Sequence, residues 1–500
     1  MRVTGHLFDL AVIVAYLVGI TWFGAHFRAS QHSLKDYFLG GRNAPWWAIG
    51  LSIVSAETST LTVIGTPALA FAGNYGFLQL VLGYLLARIV ISVLFLPQYF
   101  RGELFTAYEL MGRRFGPHVR KFTGGTFLLL RTLAEGVRVF AVSIVISVVL
   151  GTGEVVSIAV IVCLTLVYTF EGGMTAVIWT DVVQMALYVA GAVASFFVIL
   201  HQIPGGWSHV SQVASPLGKF QIFDFRFEWT AEFFRRPYSF WAGVIGGCFL
   251  TTASHGTEQL LVQRLLSAKN QRESRRALFG SWVVIAFQFS LFLVIGTLLF
   301  VLYRDRGWAA PAVPERIYPA FLWDNLPPGL AGLLIAAILA AAMSNLSAAL
   351  NALASTTVMD FLRPLRRSAG KAERSETEGL AMARAITVIW GAALFGIGLL
   401  ARQWGRVLEA GLSIASVLYG ALLGVFLLGL LTRRPGEPAA ITGMLAGLVA
   451  TFAVRGHVAF TWWVLVGSSV TFVVGWLVGF AEQAFSFQRP AVSQTGAADH

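Results

Sequence analysis

One apolar run, LLLRTLAEGVRVF at 128–140, contains three charged residues whose spacing could do chemistry. Arg131, Glu135 and Arg138 stand at i, i+4 and i+7, which on a helix places all three on one face. A charge at the centre of a membrane helix costs about 2.5–3.5 kcal/mol, so such a face must turn toward a protein interior. Glu135 can neutralise one arginine. The other guanidinium could then receive a carboxylate in bidentate fashion. A structural reading of the same face stands beside this one, in which Arg131 snorkels to the membrane surface and Arg138 pairs with Glu57 or Glu135. Arg88, in another apolar run, reads as a snorkelling residue or a packing partner.

Two further apolar runs are interrupted by polar residues. The first carries SAETST at 55–60, then Thr62, Gly65 and Pro67; the second carries TTASHGTE at 251–258. Each interruption holds a carboxylate, Glu57 or Glu258, and they lie five runs apart. Paired, broken helices in corresponding places are the sequence pointer to an inverted-repeat transporter with a site near the membrane midplane. Single Ser or Thr residues often only hydrogen-bond back to their own helix.

A third run, LPPGLAGLLIAAILAAAMSNLSAALNALASTTVMDFLRP, is rich in small residues that let another backbone approach closely. Within it Ala341, Ser344, Asn345 and Ser347 form a polar notch. Hydroxyls and carbonyls without formal charge suit a loosely held monovalent cation, whereas a divalent ion would want several carboxylates. Asp181, in WTDVVQ, is a further ionisable group that needs a cation, a proton or a partner. Among nine histidines only His255 falls at a helix interruption, and no metal-ligand spacing accompanies it. GxxxxGK[ST] is absent, so ATP-driven transport has no engine in this chain and an ion gradient remains as the energy source.

The elements that must position these residues are long apolar helices. Of 500 residues 56% are hydrophobic and 12% charged, about half the charge density of a soluble globular chain. That composition excludes a cytosolic enzyme, a disulfide scaffold and a disordered chain. Two cysteines, Cys163 and Cys248, fall inside apolar runs and read as small buried hydrophobes. About thirteen spans are expected, near 7–27, 45–73, 76–97, 122–151, 153–170, 174–200, 238–262, 277–303, 328–358, 383–402, 407–431, 437–455 and 459–483. The runs are continuous, which excludes a membrane β-barrel. With the N-terminus outside, inner loops hold twice as many Lys and Arg as outer ones, which leaves the C-terminus cytoplasmic. The net charge of +11 is thereby spent on orientation, with no basic domain for nucleic acid.

Several stretches together resemble the sodium/solute symporter family: DYFLGGR at 36–42, EGGMTAVIWTDVVQ at 171–184, HGTEQLLVQRLLSAKNQRESRRA at 255–277 and the Ala/Ser-rich run quoted above. VLEAGLSIASVLYGALLGVFLLGLL at 407–431 looks closest to its iodide, multivitamin and monocarboxylate branch. The resemblance covers essentially the whole chain apart from the tail. It implies an all-α LeuT-type fold of two inverted five-helix repeats, at 45–200 and 238–431. An extra N-terminal helix and inner loop (1–44), an outer loop (201–237), two extra C-terminal helices (432–483) and a disordered tail (484–500) complete the expected organisation. It also implies sodium-coupled symport in a cell inner membrane, with Na+ as the coupling ion.

By the same resemblance, sodium would be held by backbone carbonyls of Ser55, Thr58 and Ala341 and by side-chain oxygens of Ser344 and Asn345. Many relatives carry a second hydroxyl at position 345, where an amide oxygen can still ligate sodium. Asp181 with Ser344 and Ser347 resembles an additional cation site of some members, although Ala348 lacks a hydroxyl. Ser59 and Thr62 match substrate-lining positions, with Gln79, Thr251, His255 and Glu258 as further lining residues. In sialic acid transporters of the family an Arg on the fourth span receives the carboxylate, and Arg138 or Arg131 could do likewise. Val284 and Leu412 stand near positions where sugar-transporting relatives carry Lys and Gln, which counts against a hexose. The expected function is uptake of a small organic anion, most naturally a carboxylate. The alternatives are sodium- or proton-coupled uptake of a neutral polar solute (sugar, polyol or amino acid) and, from another class, a membrane sensor on a transporter fold.

Overall fold

Inside a bilayer every main-chain polar group must be satisfied within the protein, so apolar runs of this length fold as helices. The computed structural model describes residues 2–27, 33–58, 60–102, 104–311, 314–370, 375–403 and 407–487. Among these residues there are helices and one isolated bridge, Arg455 to Val458. The long elements are α1 (Arg2–His26), α2 (Trp46–Glu57), α3 (Thr60–Ala72), α4 (Leu78–Val90), α5 (Pro117–Leu150), α6 (Glu154–Gln202), α7 (Gly247–Gly256) and α8 (Gln259–Leu266). They are followed by α9 (Gln271–Asp305), α10 (Leu330–Thr356), α11 (Glu376–Ala401), α12 (Val407–Leu431), α13 (Glu437–Val454) and α14 (Phe460–Phe487). Eight described helices are long and apolar enough to cross a membrane, and a ninth span results if α2 and α3 are taken as one bent pair.

Both expected interruptions are breaks in the helices. α2 and α3 meet at 62° across Thr58, whose backbone is extended (φ −87°, ψ 99°). Ser and Thr side chains there offer the backbone local alternatives to helical bonding, which is why this stretch breaks. The second break falls at Thr257 and Glu258, the latter extended at φ −86°, ψ 127°.

Two sequence expectations need amendment. The runs at 153–170 and 174–200 form one helical element, α6, of 49 residues, far longer than the ~20 a single crossing needs. The side chains of 167–173, where the turn between them was expected, lie outside the described set. Cys163 is exposed and Cys248 half-buried, so neither is a core residue; a bundle in lipid presents apolar side chains outward as readily as inward. The segment 201–237, expected as an outer loop, carries local structure of its own. It contains helices at Gly206–Ala214 and Ala231–Arg235, and Lys219 donates to the carbonyls of Ala70 and Phe71 at the end of α3. Most of the expected tail, residues 488–500, lies outside the described residues.

The core lies where α2, α3, α5, α7, α9, α10 and α12 come together. α9 packs on both halves of the first broken helix, and α10 packs against α6.

Candidate functional site

The two breaks face each other. Glu57, the last residue of α2, accepts from Arg88 Nη2 at 2.9 Å and lies 3.0 Å from His255 Nε2, so one carboxylate joins the first break to the second. Arg88 is fully buried and also donates to the carbonyls of Leu278 and Tyr84. It is a packing partner, not a snorkelling residue. Glu258, at the second break, accepts from Arg131 Nη1 at 2.8 Å and from the Tyr419 hydroxyl of α12.

On α5 the three charges share one face. Arg131 pairs with Glu135 as well as Glu258, and Arg138 Nη1 donates to Glu135 at 2.8 Å. The positive charge that sequence counting left over is met by Glu258, giving two guanidiniums against two carboxylates. Arg131 is 3% exposed and so does not snorkel, whereas Arg138 keeps 22% of its side chain open.

These groups enclose a cavity of about 130 Å³. A water needs on the order of 10–15 Å³ by the same kind of measure, so there is room for a small polyatomic solute. Of the expected substrate residues, Thr62, Arg131, Arg138, Thr251 and His255 line it, together with Glu258. Gln79 is not part of that lining. It is buried under the segment 201–237, donating to the Tyr238 carbonyl at 2.7 Å and accepting from the Asp224 N–H at 3.0 Å. Ser59 lies outside the described residues.

The expected sodium positions gather on α2 and α10. Asn345 reaches from α10 into the first break, where its Nδ2 donates to the carbonyls of Ser55 (2.9 Å) and Thr58 (2.8 Å). Its Oδ1 accepts from Arg138 Nη1 at 3.3 Å. Asn345, expected to offer a side-chain oxygen to sodium, thus presents its amide nitrogen to those two carbonyls. Ala341 and Ser344 lie on α10, with side chains outside the described set. Asp181 is fully buried and accepts from Arg264 Nη2 at 2.9 Å and from the Ser52 hydroxyl. Ser347 is buried on α10, its Oγ without a hydrogen-bond partner among the described residues. As these groups stand, an amide nitrogen holds the Ser55 and Thr58 carbonyls and a guanidinium holds Asp181; neither arrangement fits a bound cation without rearrangement.

Four residues that sequence reasoning did not single out complete the site. Tyr419 ties Glu258 to α12. Gln288 of α9 donates to Thr58 Oγ1 at 2.7 Å and accepts from Tyr188. A lone Gln and a lone Tyr inside apolar runs were available signals. Arg264 was not legible, because it stands at the head of a basic stretch that reads as a loop, yet it is fully buried.

The profile of the family described as "Sodium:solute symporter family" matches residues 37–447. The sodium/sialic acid symporter SiaT of Proteus mirabilis (strain HI4320) is 28% identical over 477 residues, covering 93% of this chain and 94% of that one. The sodium/iodide cotransporter of Homo sapiens is 28% identical over 93% of this chain and 70% of its own length. Sodium-coupled monocarboxylate transporter 1 of Homo sapiens is 29% identical over 92% and 72%. Among solved structures, a Na+-coupled sialic acid symporter in a substrate-bound outward-open state superposes with a TM-score of 0.84 at 26% identity, covering 95% of this chain and 98% of that one. Mhp1, a nucleobase-cation-symport-1 family transporter in a closed conformation, superposes at 0.59 with 14% identity over 93% and 97%, a likeness of fold alone.

Proposed function

The chain belongs to the sodium:solute symporter family, and on that premise we propose that it takes up a small organic anion, a carboxylate, together with sodium by alternating access. It is a sodium-coupled symporter, a multi-pass membrane protein with an all-α LeuT-type fold, and not an enzyme.

The observation that carries the anion reading is Arg138. Both of its hydrogen bonds among the described residues run through Nη1, while the side chain stays 22% exposed to the cavity between the breaks. A planar guanidinium with one edge engaged still presents paired donors to a carboxylate. Thr62, Thr251 and His255 would meet the polar remainder of the solute. Sialic acid and monocarboxylates, carried by relatives, are organic anions. Broken helices supply the flexible joints on which the two sides of the site would open in turn.

The proposal includes the two inverted five-helix repeats, 45–200 and 238–431, with one extra helix before and two after. It also places the N-terminus outside and the C-terminus in the cytoplasm of an inner membrane, on the basic-residue bias. Purified protein in proteoliposomes should accumulate a radiolabelled sialic acid or short monocarboxylate under an inward sodium gradient and not under potassium. Arg138→Ala should lower carboxylate affinity at least tenfold, about the worth of one charge-assisted hydrogen bond. Uptake of no anion, or uptake indifferent to sodium, would overturn this reading.

A neutral polar solute is the second reading. It is favoured by the pairing of two arginines with Glu135 and Glu258, which leaves the cavity wall without net formal charge. Under it, Arg138→Ala spares affinity for the transported solute.

A further inference from the structure

A helix break frees carbonyls from their ordinary N–H partners, and a buried carbonyl without a donor or a cation is costly. At the first break the carbonyls of Ser55 and Thr58 converge on one point. What stands there is the amide nitrogen of Asn345, 2.9 and 2.8 Å away. We infer that Asn345 is an internal competitor of the coupling sodium ion, which must expel this amide before it can bind the same two carbonyls. The inference rests on the sodium coupling of the proposed function.

The direction of the amide is fixed from both ends. Nδ2 donates to two acceptors, and Oδ1 accepts from the Arg138 guanidinium. The reversed amide would press its oxygen on two carbonyl oxygens and its NH2 on a cation, repelling at each end. An amide oxygen turned away from the carbonyls is therefore not a ready ligand but the far end of a bridge. That bridge brings positive charge toward the carbonyl pair, which further disfavours a second cation while it is closed.

The bridge is nonetheless weak enough to open. It is a neutral dipole held at the carbonyls by two ordinary hydrogen bonds and at its far end by one long bond of 3.3 Å from Arg138, not a lysine or arginine placed on the carbonyls. A void of about 10 Å³, lined by Thr60, Glu135, Arg138, Val142 and Leu346 among others, adjoins the amide; it is no larger than one water needs, so opening requires these neighbours to shift with it. Opening also releases Oδ1 from Arg138, so one side chain links the cation position to the guanidinium that faces the solute cavity.

The test uses sodium alone on purified, full-length protein. NaCl is titrated against choline chloride at constant ionic strength, and the response is read by melting temperature and tryptophan fluorescence. Asn345→Ala adds no ligand and removes the competitor. It should melt lower than wild type without sodium and respond to sodium at roughly 5- to 100-fold lower concentration, the fold-change equivalent to two ordinary hydrogen bonds. If Asn345→Ala does not fold, Asn345→Val, which likewise brings no oxygen, should show the same direction. A wild type that responds to sodium, with variants responding at the same or higher concentration, would overturn the competitor role and leave sodium coupling intact. A wild type and variants that all ignore sodium would overturn both.

Discussion

Arg264 shows how a residue's surroundings decide what its charge does. Its guanidinium is fully buried and divides its donors among Asp181, the Ser52 hydroxyl and carbonyl, and the Leu260 carbonyl. Removing one member of a buried pair leaves the other charge uncompensated, typically at about 3–5 kcal/mol. Arg264→Leu should therefore lower the melting temperature sharply, and Arg264→Leu with Asp181→Leu should recover most of the loss; a double variant no better than the single would show that the pair is not the unit. At this scale the sequence was partly legible. Arg131, Glu135 and Arg138 announced themselves by standing in an apolar run at helical spacing. Arg264 did not, because VQRLLSAKNQRESRR surrounds it with the composition of a cytoplasmic loop, and only packing shows that α8 turns it inward. Asn345 was visible as a departure from the family's hydroxyl, but the direction of its amide depends on Arg138, which sequence places more than 200 residues away.

Among the elements, the two broken helices were readable in advance because Ser, Thr and Gly clusters interrupt otherwise apolar runs. The joint beyond α10 was not. There the helix continues through a wider π turn, Thr357–Leu362, that brings Asp360 against Thr106 Oγ1 (2.9 Å) and Arg120 Nε (2.7 Å). Asp360 lies just past the ninth expected span, which ends at 358. Burial raises its carboxyl to about 7, against the lowering pull of Arg120. In an unfolded chain an Asp titrates near 3.9, so between about pH 4 and pH 7 the folded state keeps a proton that the unfolded state has lost. The stability contributed by this group is then present below about pH 4 and is lost as pH rises through about 7. Melting temperature in detergent should fall over that window, and Asp360→Asn should flatten the fall. An unchanged slope in the variant would assign it to other groups.

For the whole molecule, composition was enough to identify a polytopic helical membrane protein, and the interrupted runs pointed to its architecture. How the parts meet had to come from the structure. The contact between Glu57 and His255 joins two breaks that lie almost 200 residues apart, one in each half of the chain. It acts as a rivet through a pair of crossed levers. Levers riveted together turn about one pivot, so the two broken helices should travel as a single body during transport, while contacts from that body to α5 and α10 are made and released. A covalent tie engineered between the two broken helices away from the cavity should then leave uptake in proteoliposomes largely intact. A tie from either break to α10 should arrest it, and arrest by the first tie would show that the rivet lets go in every cycle.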